Sequence, residues 1–341
     1  MVLASYAKEN GERYRLLSLN DDIGMHALEV AGLHFSFEGF HRKKAKFFLK
    51  VAVLAPQARI VYVGHPNLAP GDIFFRLCRC RSIVASHGIE VWNRQPWWRR
   101  LALRLASKMT APSAFTAQKL VTLQGINPES VTIIPWALDP GFQFIGEEKK
   151  KHVPALPPGK MLLSVARLVA GEGYKGIDTV IRALPLVREA YSDLYYVVLG
   201  DGDDLPRLRQ VAKDVGVAGH VFFLGNATDG DLQVYYRNCD IFVMPSKGEG
   251  FGLVFIEAMA FGKPVIGGKH AGTLDVIVDG ETGFMVEYGD IPGLAQCLIH
   301  LLGNEGLRHQ MGEAGRRRVQ AFYSFSRFKK NLVNVLNGSR H

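Results

Sequence analysis

Cysteine is scarce in this sequence, and no long apolar run interrupts its 341 residues. The four cysteines follow no spacing typical of a metal site, so we expect reduced thiols in a cytoplasmic protein. Residues 47–63 form the most apolar stretch, but Lys50, Pro56 and Arg59 break it, which argues against a membrane span. Residues 1–12 lack the basic start and apolar core of a signal peptide. These absences favour a globular cytoplasmic protein.

Acidic residues are nearly missing from one part of the chain. Residues 42–108 contain 14 basic residues, whereas Asp72 and Glu90 are their only acids. Residues 1–160 carry a net charge of +10 and residues 161–341 a net charge of −1, which together give the +9 of the whole chain. Such an uneven distribution predicts an anionic partner for the first half.

The order of apolar runs predicts an α/β protein. After residue 160, short β-rich runs alternate with segments whose apolar residues recur at helical spacing. This alternation is typical of a parallel sheet covered by helices. The predicted strands of this half are residues 162–166, 194–199, 221–224, 241–244 and 265–267. The first half follows the same pattern less completely, with predicted strands at 15–19, 60–63, 83–86 and 131–134 and helices at 43–54 and 97–108. Ligands of such sheets bind at the carboxyl ends of the strands.

A charged, proline-rich stretch at residues 146–160 is predicted to separate two domains, each long enough to bury a core. The first domain is predicted at residues 1–150 and the second at 151–320. Residues 321–341 are predicted to form a C-terminal helix.

The main candidate for chemistry is the segment SKGEGFGLVFIE at residues 246–257. Gly250 and Gly252 would let the backbone approach a ligand, and the helix that follows offers free N–H groups to a phosphate. Glu249 precedes this helix and Glu257 lies within it. One carboxylate could therefore contact a sugar and the other a ribose, with phosphate between them. A plain strand–loop–helix with two solvated acids would give the same pattern.

Two cations stand near the end of the first predicted strand of the second half. Arg167 follows the strand directly, and Lys175 lies in a glycine-rich loop before a helix. An arginine binds phosphate through two parallel hydrogen bonds, and a lysine adds a point charge. A solvated surface pair is the alternative, but one sheet edge would bring both cations close to the glutamate loop.

These motifs occur together and in order, and they resemble the retaining glycosyltransferases of family 4. The matching segments are SVARL…GYKG around Arg167 and Lys175, LGDG at 199–202, EGFGLVFIE at 249–257, GKPV at 262–265 and GETG at 280–283. The resemblance covers residues 83–330 and is most specific in 161–290. It implies the GT-B fold, in which two Rossmann-like domains face each other across a donor cleft. It also implies that the C-terminal helix at 321–341 packs back on the first domain.

The resemblance also implies roles for individual residues. Arg167 and Lys175 would bind the donor diphosphate, Glu249 the donor sugar and Glu257 the ribose. Main-chain amides of residues 251–254 would line the sugar and the phosphates. The donor-binding set is then Arg167, Lys175, Gly250, Phe251, Gly252, Leu253, Val254 and Glu257, and the catalytic pair is His87, in the segment SHGIE, with Glu249.

The expected reaction moves a sugar, with retention of configuration, from a UDP- or GDP-sugar to a glycan, lipid or small-molecule acceptor. No cofactor and no metal are expected. The segment 201–203 matches a metal-binding Asp-x-Asp, but turn and helix-cap chemistry explains it. The alternative is a GT-B-like protein that binds a nucleotide-sugar or a membrane surface with little or no transfer.

The sequence departs from the family pattern in the first half. Trp136 and Ala137 stand where Asn and Gly are usual, and Ser113 is explained as a helix N-cap. The chain opens with a short helix, and its strand at 15–19 resembles the second strand of the family. We therefore expect a shortened first domain that lacks one strand and a glycine-rich loop, with slower transfer.

Aromatic residues are interleaved with cations at residues 42–49 and 92–108. This composition suits a surface that binds anionic lipid, and the protein would then be peripheral at the inner face of a membrane. A solvated face and part of an acceptor cleft are the alternatives. No nucleic-acid recognition module is visible, so nucleic acid is not an expected partner.

Overall fold

The computed structural model describes residues 2–11, 13–30, 33–142 and 156–338. The chain divides into two compact units, one formed by Met1–Ile134 with Ser326–His341 and the other by Pro135–Phe325. The first break thus falls after Ile134, earlier than the boundary expected at residue 150. Most of the predicted linker at 146–160, from 146 to 155, lies outside the described residues. Within the described ranges, no helix is long and apolar enough to cross a membrane.

The first unit contains a parallel sheet and a smaller mixed one. Its strands are β1 (Leu16–Ser18), β2 (Gly24–Val30), β3 (Leu33–Gly39), β4 (Ile60–Val63), β5 (Arg81–Ala85), β6 (Lys108–Ala111) and β7 (Val131–Ile133). Its helices are α1 (Val2–Glu9), α2 (Lys44–Leu54), α3 (Asp72–Leu77), α4 (Ile89–Trp92), α5 (Trp97–Leu105) and α6 (Ala114–Gln124). The parallel sheet has the order β4-β5-β6-β7. Its core includes the buried side chains of Phe47, Val84, Leu103 and Leu120.

The strand expected at residues 15–19 forms as β1, but in the described part of the chain it does not enter the parallel sheet. It pairs with β3, which also forms an antiparallel hairpin with β2. The hairpin and β6 were not predicted from the sequence. Polar residues interrupt the apolar pattern of β2 and β6, whereas β3 alternates apolar and polar residues from Leu33 to Glu38, a strand pattern that was missed.

The second unit is a six-stranded, fully parallel sheet. Its strands are β8 (Met161–Val165), β9 (Tyr195–Leu199), β10 (Val221–Phe223), β11 (Ile241–Met244), β12 (Val265–Gly268) and β13 (Gly283–Val286). Its helices are α7 (Ile177–Ala190), α8 (Leu205–Asp214), α9 (Asp229–Asn238), α10 (Leu253–Ala260), α11 (Thr273–Val276), α12 (Ile291–Gly303) and α13 (Glu305–Phe322). Five of these strands match the predicted ones within one residue at each end, whereas β13 was missed. The strands are almost entirely apolar because each sheet face carries its own hydrophobic core, and the buried Ser164 of β8 is hydrogen-bonded to Tyr196 and to the carbonyl of Val243.

The strand order of this sheet is β10-β9-β8-β11-β12-β13. From β8 the chain proceeds outward in one direction, and from β11 it proceeds outward in the other. The order therefore reverses between these two central strands. In open parallel sheets such a switch point leaves a crevice outside the carboxyl ends of the strands, where ligands bind.

The final helix, α14 (Phe325–Asn337), packs on the first unit. The Arg81 guanidinium donates to the carbonyls of Val335 and Leu336, at 2.6 and 2.7 Å. A cation at this end of a helix also interacts favourably with the helix dipole. Lys329 and Glu9 add an ion pair of 2.8 Å between α14 and α1.

Candidate functional site

The two loops beside the switch point carry the residues that the sequence singled out. The loop after β8 contains Arg167 and Lys175, and the loop after β11 contains Glu249. Both loops leave the carboxyl ends of adjacent, paired strands. The fold thus explains why residues far apart in sequence meet at one edge of the sheet.

Lys175 and Glu249 form a direct ion pair. The Lys175 Nζ donates to Glu249 Oε1 at 2.7 Å, and the two side chains are 17% and 11% exposed. Gly176 follows Lys175 with a φ of 75°, and a Cβ there would lie 2.6 Å from the carbonyl oxygen of Pro245. Glycine is required at this position because it accepts the left-handed backbone and the close approach.

Arg167 is the exposed cation of the site, with 76% of its side chain accessible. Its guanidinium contacts the Glu172 carboxylate. A shallow pocket beside it is lined by Arg167, Leu168, Val169, Glu172, Gly173, Lys175, Ile177, Asp204, Arg207 and Leu208. The third cation of this lining, Arg207, is held by Asp204 at 2.6 and 2.7 Å. All three cations of the lining are thus paired with carboxylates, and Arg167 has the most exposed side chain of the three.

Backbone contacts fix the glutamate loop. The Lys247 N–H donates to the carbonyl of Tyr174 at 2.8 Å, which ties the loop after β11 to the loop after β8. The Gly272 N–H donates to the carbonyl of Glu249 at 2.8 Å, and a Cβ on Gly272 would lie 2.4 Å from the Gly250 carbonyl oxygen. The loop is thus preorganised by main-chain hydrogen bonds and by a close approach that only glycine permits.

The start of α10 faces the same loop. Gly252 precedes this helix with a φ of 94°, and no described side chain caps it. The first N–H groups of an α-helix have no partner within the helix, and they carry a partial positive charge. Leu253 and Val254 therefore present backbone amides that suit an anion, whereas Phe251 is buried in the core below.

Glu257 lies one turn into α10, where its environment differs from that of Glu249. The Tyr236 hydroxyl donates to Glu257 Oε2 at 2.7 Å, and Tyr236 is fully buried. Burial raises the pKa of Glu257 above its ordinary value, while the hydrogen bond from Tyr236 opposes that rise. Tyr236 was missed in the sequence because no motif connects a tyrosine of α9 with α10.

His87, the remaining predicted catalytic residue, belongs to the first unit, whereas all the other predicted site residues belong to the second. It follows β5. Its Nε2 lies 2.6 Å from the carbonyl oxygen of Gly64, and its ring centroid lies 5.6 Å from that of His65. The Glu90 carboxylate accepts from the main-chain N–H of His87 at 2.5 Å. These contacts fix the position of His87 within its own unit.

Two other sequence features have defined places. The Ser113 hydroxyl accepts from the Thr116 N–H at 3.2 Å, which confirms the predicted N-cap of α6. Trp136, which stands where the family usually has asparagine, packs its ring 6.3 Å from that of Phe251. Its indole thus contributes to the aromatic support beneath the glutamate loop.

Both carboxylates of the Asp-x-Asp segment accept hydrogen bonds from main-chain N–H groups. The Asp201 carboxylate accepts from the Gly202 N–H at 2.8 Å, and the Asp203 carboxylate accepts from the Ala170 N–H at 2.7 Å. The sequence predicted helix-cap chemistry for this segment. Neither Asp201 nor Asp203 caps α8, because Asp204 is the residue that precedes this helix. In the described ranges no group of three His, Cys, Asp or Glu side chains could hold a metal ion.

Comparison with known proteins defines the class. Residues 146–318 match the family "Glycosyl transferases group 1". The chain belongs to this family, and it is a glycosyltransferase. Two similar relatives are named GDP-mannose-dependent alpha-(1-6)-phosphatidylinositol monomannoside mannosyltransferase. The relative from Mycolicibacterium smegmatis is 30% identical in an alignment that covers 78% of this chain and 72% of the relative's length. The relative from Mycobacterium tuberculosis (strain CDC 1551 / Oshkosh) is 29% identical in an alignment that covers 84% of this chain and 73% of the relative's length.

Solved structures show the same fold at low sequence identity. A glycosyltransferase from Rickettsia africae ESF-5 aligns with a TM-score of 0.78 at 20% identity, over 99% of this chain and 93% of its own. Anabaena Alr3699/HepE in complex with UDP aligns with a TM-score of 0.74 at 20% identity, over 89% and 86%. The fold is therefore GT-B, as the sequence predicted, with one Rossmann-like domain in each unit.

Proposed function

We propose that the protein transfers mannose from GDP-mannose to a hydroxyl of a lipid-linked glycan, with retention of configuration. The observation that carries this proposal is the pairing of Lys175 with Glu249 beside the start of α10, at the switch point of the sheet. Relatives that match most of the chain are named for GDP-mannose and a phosphatidylinositol mannoside acceptor, which supports the donor and the acceptor class.

The chemistry follows from where charge develops. The bond between sugar C1 and the diphosphate oxygen breaks, and negative charge grows on the leaving diphosphate. Arg167, Lys175 and the first N–H groups of α10 are the groups that would stabilise this charge. A preorganised positive environment of this kind replaces the divalent ion that other transferases use, so we propose a metal-independent reaction.

Retention follows if attack occurs on the face that the diphosphate leaves. The acceptor oxygen then bonds to C1, and its proton passes to an oxygen of the leaving diphosphate. Glu249 would hold hydroxyls of the donor sugar, and Glu257 would accept hydrogen bonds from the ribose. The amides at residues 250–254 would line the sugar and phosphates. The family resemblance supports a further proposal, that His87 contacts the donor sugar.

The test is GDP release and product analysis with purified protein. GDP-mannose, GDP-glucose and UDP-sugars are compared as donors, and the anomeric configuration of the product is read by NMR. We expect GDP-mannose to be used best and an α-linkage to form from the α-linked donor. A UDP-sugar preference would overturn the donor assignment, and a β-product would overturn retention. Tight binding of GDP-mannose without GDP release would favour a binding protein.

A further inference from the structure

Three neighbouring helices of the first unit expose large apolar side chains on their solvent side. Leu49 of α2 is 67% exposed, Leu77 of α3 is 77% exposed and Trp97 of α5 is 75% exposed. Each has a similarly exposed apolar neighbour one turn away, and these neighbours are Val53, Ile73 and Leu101. Residues at this spacing lie on one side of a helix. We call these six residues, with the exposed Trp98, the apolar face.

The same helices also bury apolar residues on their opposite sides. Phe47 and Val51 of α2, Phe75 of α3 and Leu103 of α5 are buried in the core of the unit. The outward apolar pairs are therefore additional to the packing that holds the helices in place. A helix that is apolar on both sides is expected to be covered on both.

The three helices lie side by side. Helix α3 contacts both α2 and α5, and the 3-10 segment Pro66–Gly71 contacts all three. The junction is tight, since a Cβ on Gly71 would lie 3.5 Å from Phe48 and Val51. The apolar face thus belongs to one layer of the unit rather than to scattered positions.

Exposed cations lie on and beside these helices, and residues 42–108, which contain all three helices, include only two acids; Glu38, outside this range, pairs with Lys50 of α2 at 2.9 Å. Lys46, Arg76 and Arg94 are exposed, and the Arg99 guanidinium lies 5.1 Å from the centroid of the Trp98 ring. Of the two acids in residues 42–108, Asp72 is fully buried. The other, Glu90, accepts from the main-chain N–H groups of His87 and Gly88. A partner of this layer must therefore offer both an apolar phase and negative charge.

We propose that the apolar face docks into the headgroup region of an anionic lipid layer. Leucine, isoleucine and valine would enter the acyl boundary, tryptophan would lie at the interface, and the long cationic side chains would reach the headgroups. A second copy of the chain fits poorly, because two such layers would bring like charges together. Nucleic acid would satisfy the cations but would leave the apolar side chains in water.

The test compares two triple variants of the full chain that remove exposed apolar residues without changing charge. The face variant is Leu49→Ser, Leu77→Ser and Leu101→Ser. The matched control is Ile23→Ser, Met25→Ser and Leu28→Ser, which alters exposed apolar residues on and beside β2 of the same unit. Binding is measured by co-sedimentation with phosphatidylcholine vesicles that contain about one third phosphatidylglycerol, at low and high salt.

We expect the parent and the control to bind anionic vesicles, and salt to weaken the binding. The face variant should bind at least about tenfold more weakly. Quenching of tryptophan fluorescence by lipids brominated on the acyl chain should occur in the parent and be lost with Trp97→Phe and Trp98→Phe. Unfolding curves and GDP-mannose binding, measured without vesicles, verify that each variant is folded.

Equal vesicle binding by the face variant and the parent would overturn the proposal. So would equal binding to zwitterionic and anionic vesicles. A parent dimer that the face variant dissociates, without vesicle binding, would assign the face to self-association, and salt-sensitive binding of duplex DNA alone would assign it to nucleic acid. GDP release in solution is measured separately, so failure of the proposed transfer reaction would leave the vesicle result interpretable.

Discussion

Separating Lys175 from Glu249 should reveal two independent roles for one ion pair. Lys175→Met removes the cation and leaves the Glu249 carboxylate in a site where its side chain is 11% exposed. Breaking a buried pair by removing one partner is destabilising by roughly 3–5 kcal/mol. Since both side chains retain some contact with water, we expect a loss of about 2–4 kcal/mol in the free energy of unfolding.

The double variant Lys175→Met with Glu249→Leu removes both charges and should recover much of that loss. Replacement of a buried pair by apolar residues is often close to neutral. The interaction energy from the double-mutant cycle should therefore be about 2 kcal/mol. Donor affinity should not recover, because Lys175, the cation that we propose to bind the diphosphate, is still missing. The second substitution would then restore stability without restoring donor affinity.

Urea denaturation gives the stability of each variant, and calorimetry gives the affinity for GDP-mannose. Lys160→Met is the matched control, since Lys160 pairs with Asp240 at 3.4 Å but lies at the amino end of β8, with 36% of its side chain exposed. It should change stability by less than about 1 kcal/mol and leave donor affinity unchanged. Additive stability effects of the two site substitutions, or recovery of donor affinity in the double variant, would refute the reasoning.

Three further outcomes are expected. Tyr236→Phe removes the hydrogen bond that opposes the burial-raised pKa of Glu257, so this pKa should rise further. The increase in donor KM on acidification should then begin at a higher pH than in the parent; an unchanged KM profile between pH 5 and 8 would contradict the role of Tyr236. Gly272→Ala should lower both stability, by about 1–3 kcal/mol, and donor affinity, because its Cβ would meet the Gly250 carbonyl. Gly219→Ala, which has open space, is its control, and equal stability of the two variants would contradict the close approach. GDP release should persist in excess EDTA, and a loss that Mg²⁺ or Mn²⁺ restores would revive a metal role for Asp201 and Asp203.

The sequence by itself determined the second unit well. Its strands are almost entirely apolar because both faces of the sheet are buried, and five of the six were predicted from such runs without a structure. The residue types and order around Arg167, Lys175 and Glu249 also indicated phosphate and sugar chemistry before any geometry was known. These features are local, so spacing along the chain is enough to find them.

The sequence was less informative for the first unit. β1 was expected in the parallel sheet, but it pairs with β3 instead. Strand pairing depends on hydrogen bonds between distant segments, and a three-residue strand carries too little pattern to specify its partner. The hairpin of β2 and β3 was also missed. In β2 the adjacent Ala27 and Leu28 break the alternation of polar and apolar residues, and the alternating run of β3 does not by itself identify its partner strand.

Tertiary structure alone decided how the site residues are engaged. The reversal of strand order between β8 and β11 brings Lys175 onto Glu249, and the packing of α9 beside α10 gives Glu257 a buried tyrosine partner. The apolar face likewise emerges only when three helices are laid side by side. Each of these contacts joins residues that are distant in sequence, and their closeness is fixed by strand order and helix packing rather than by local pattern.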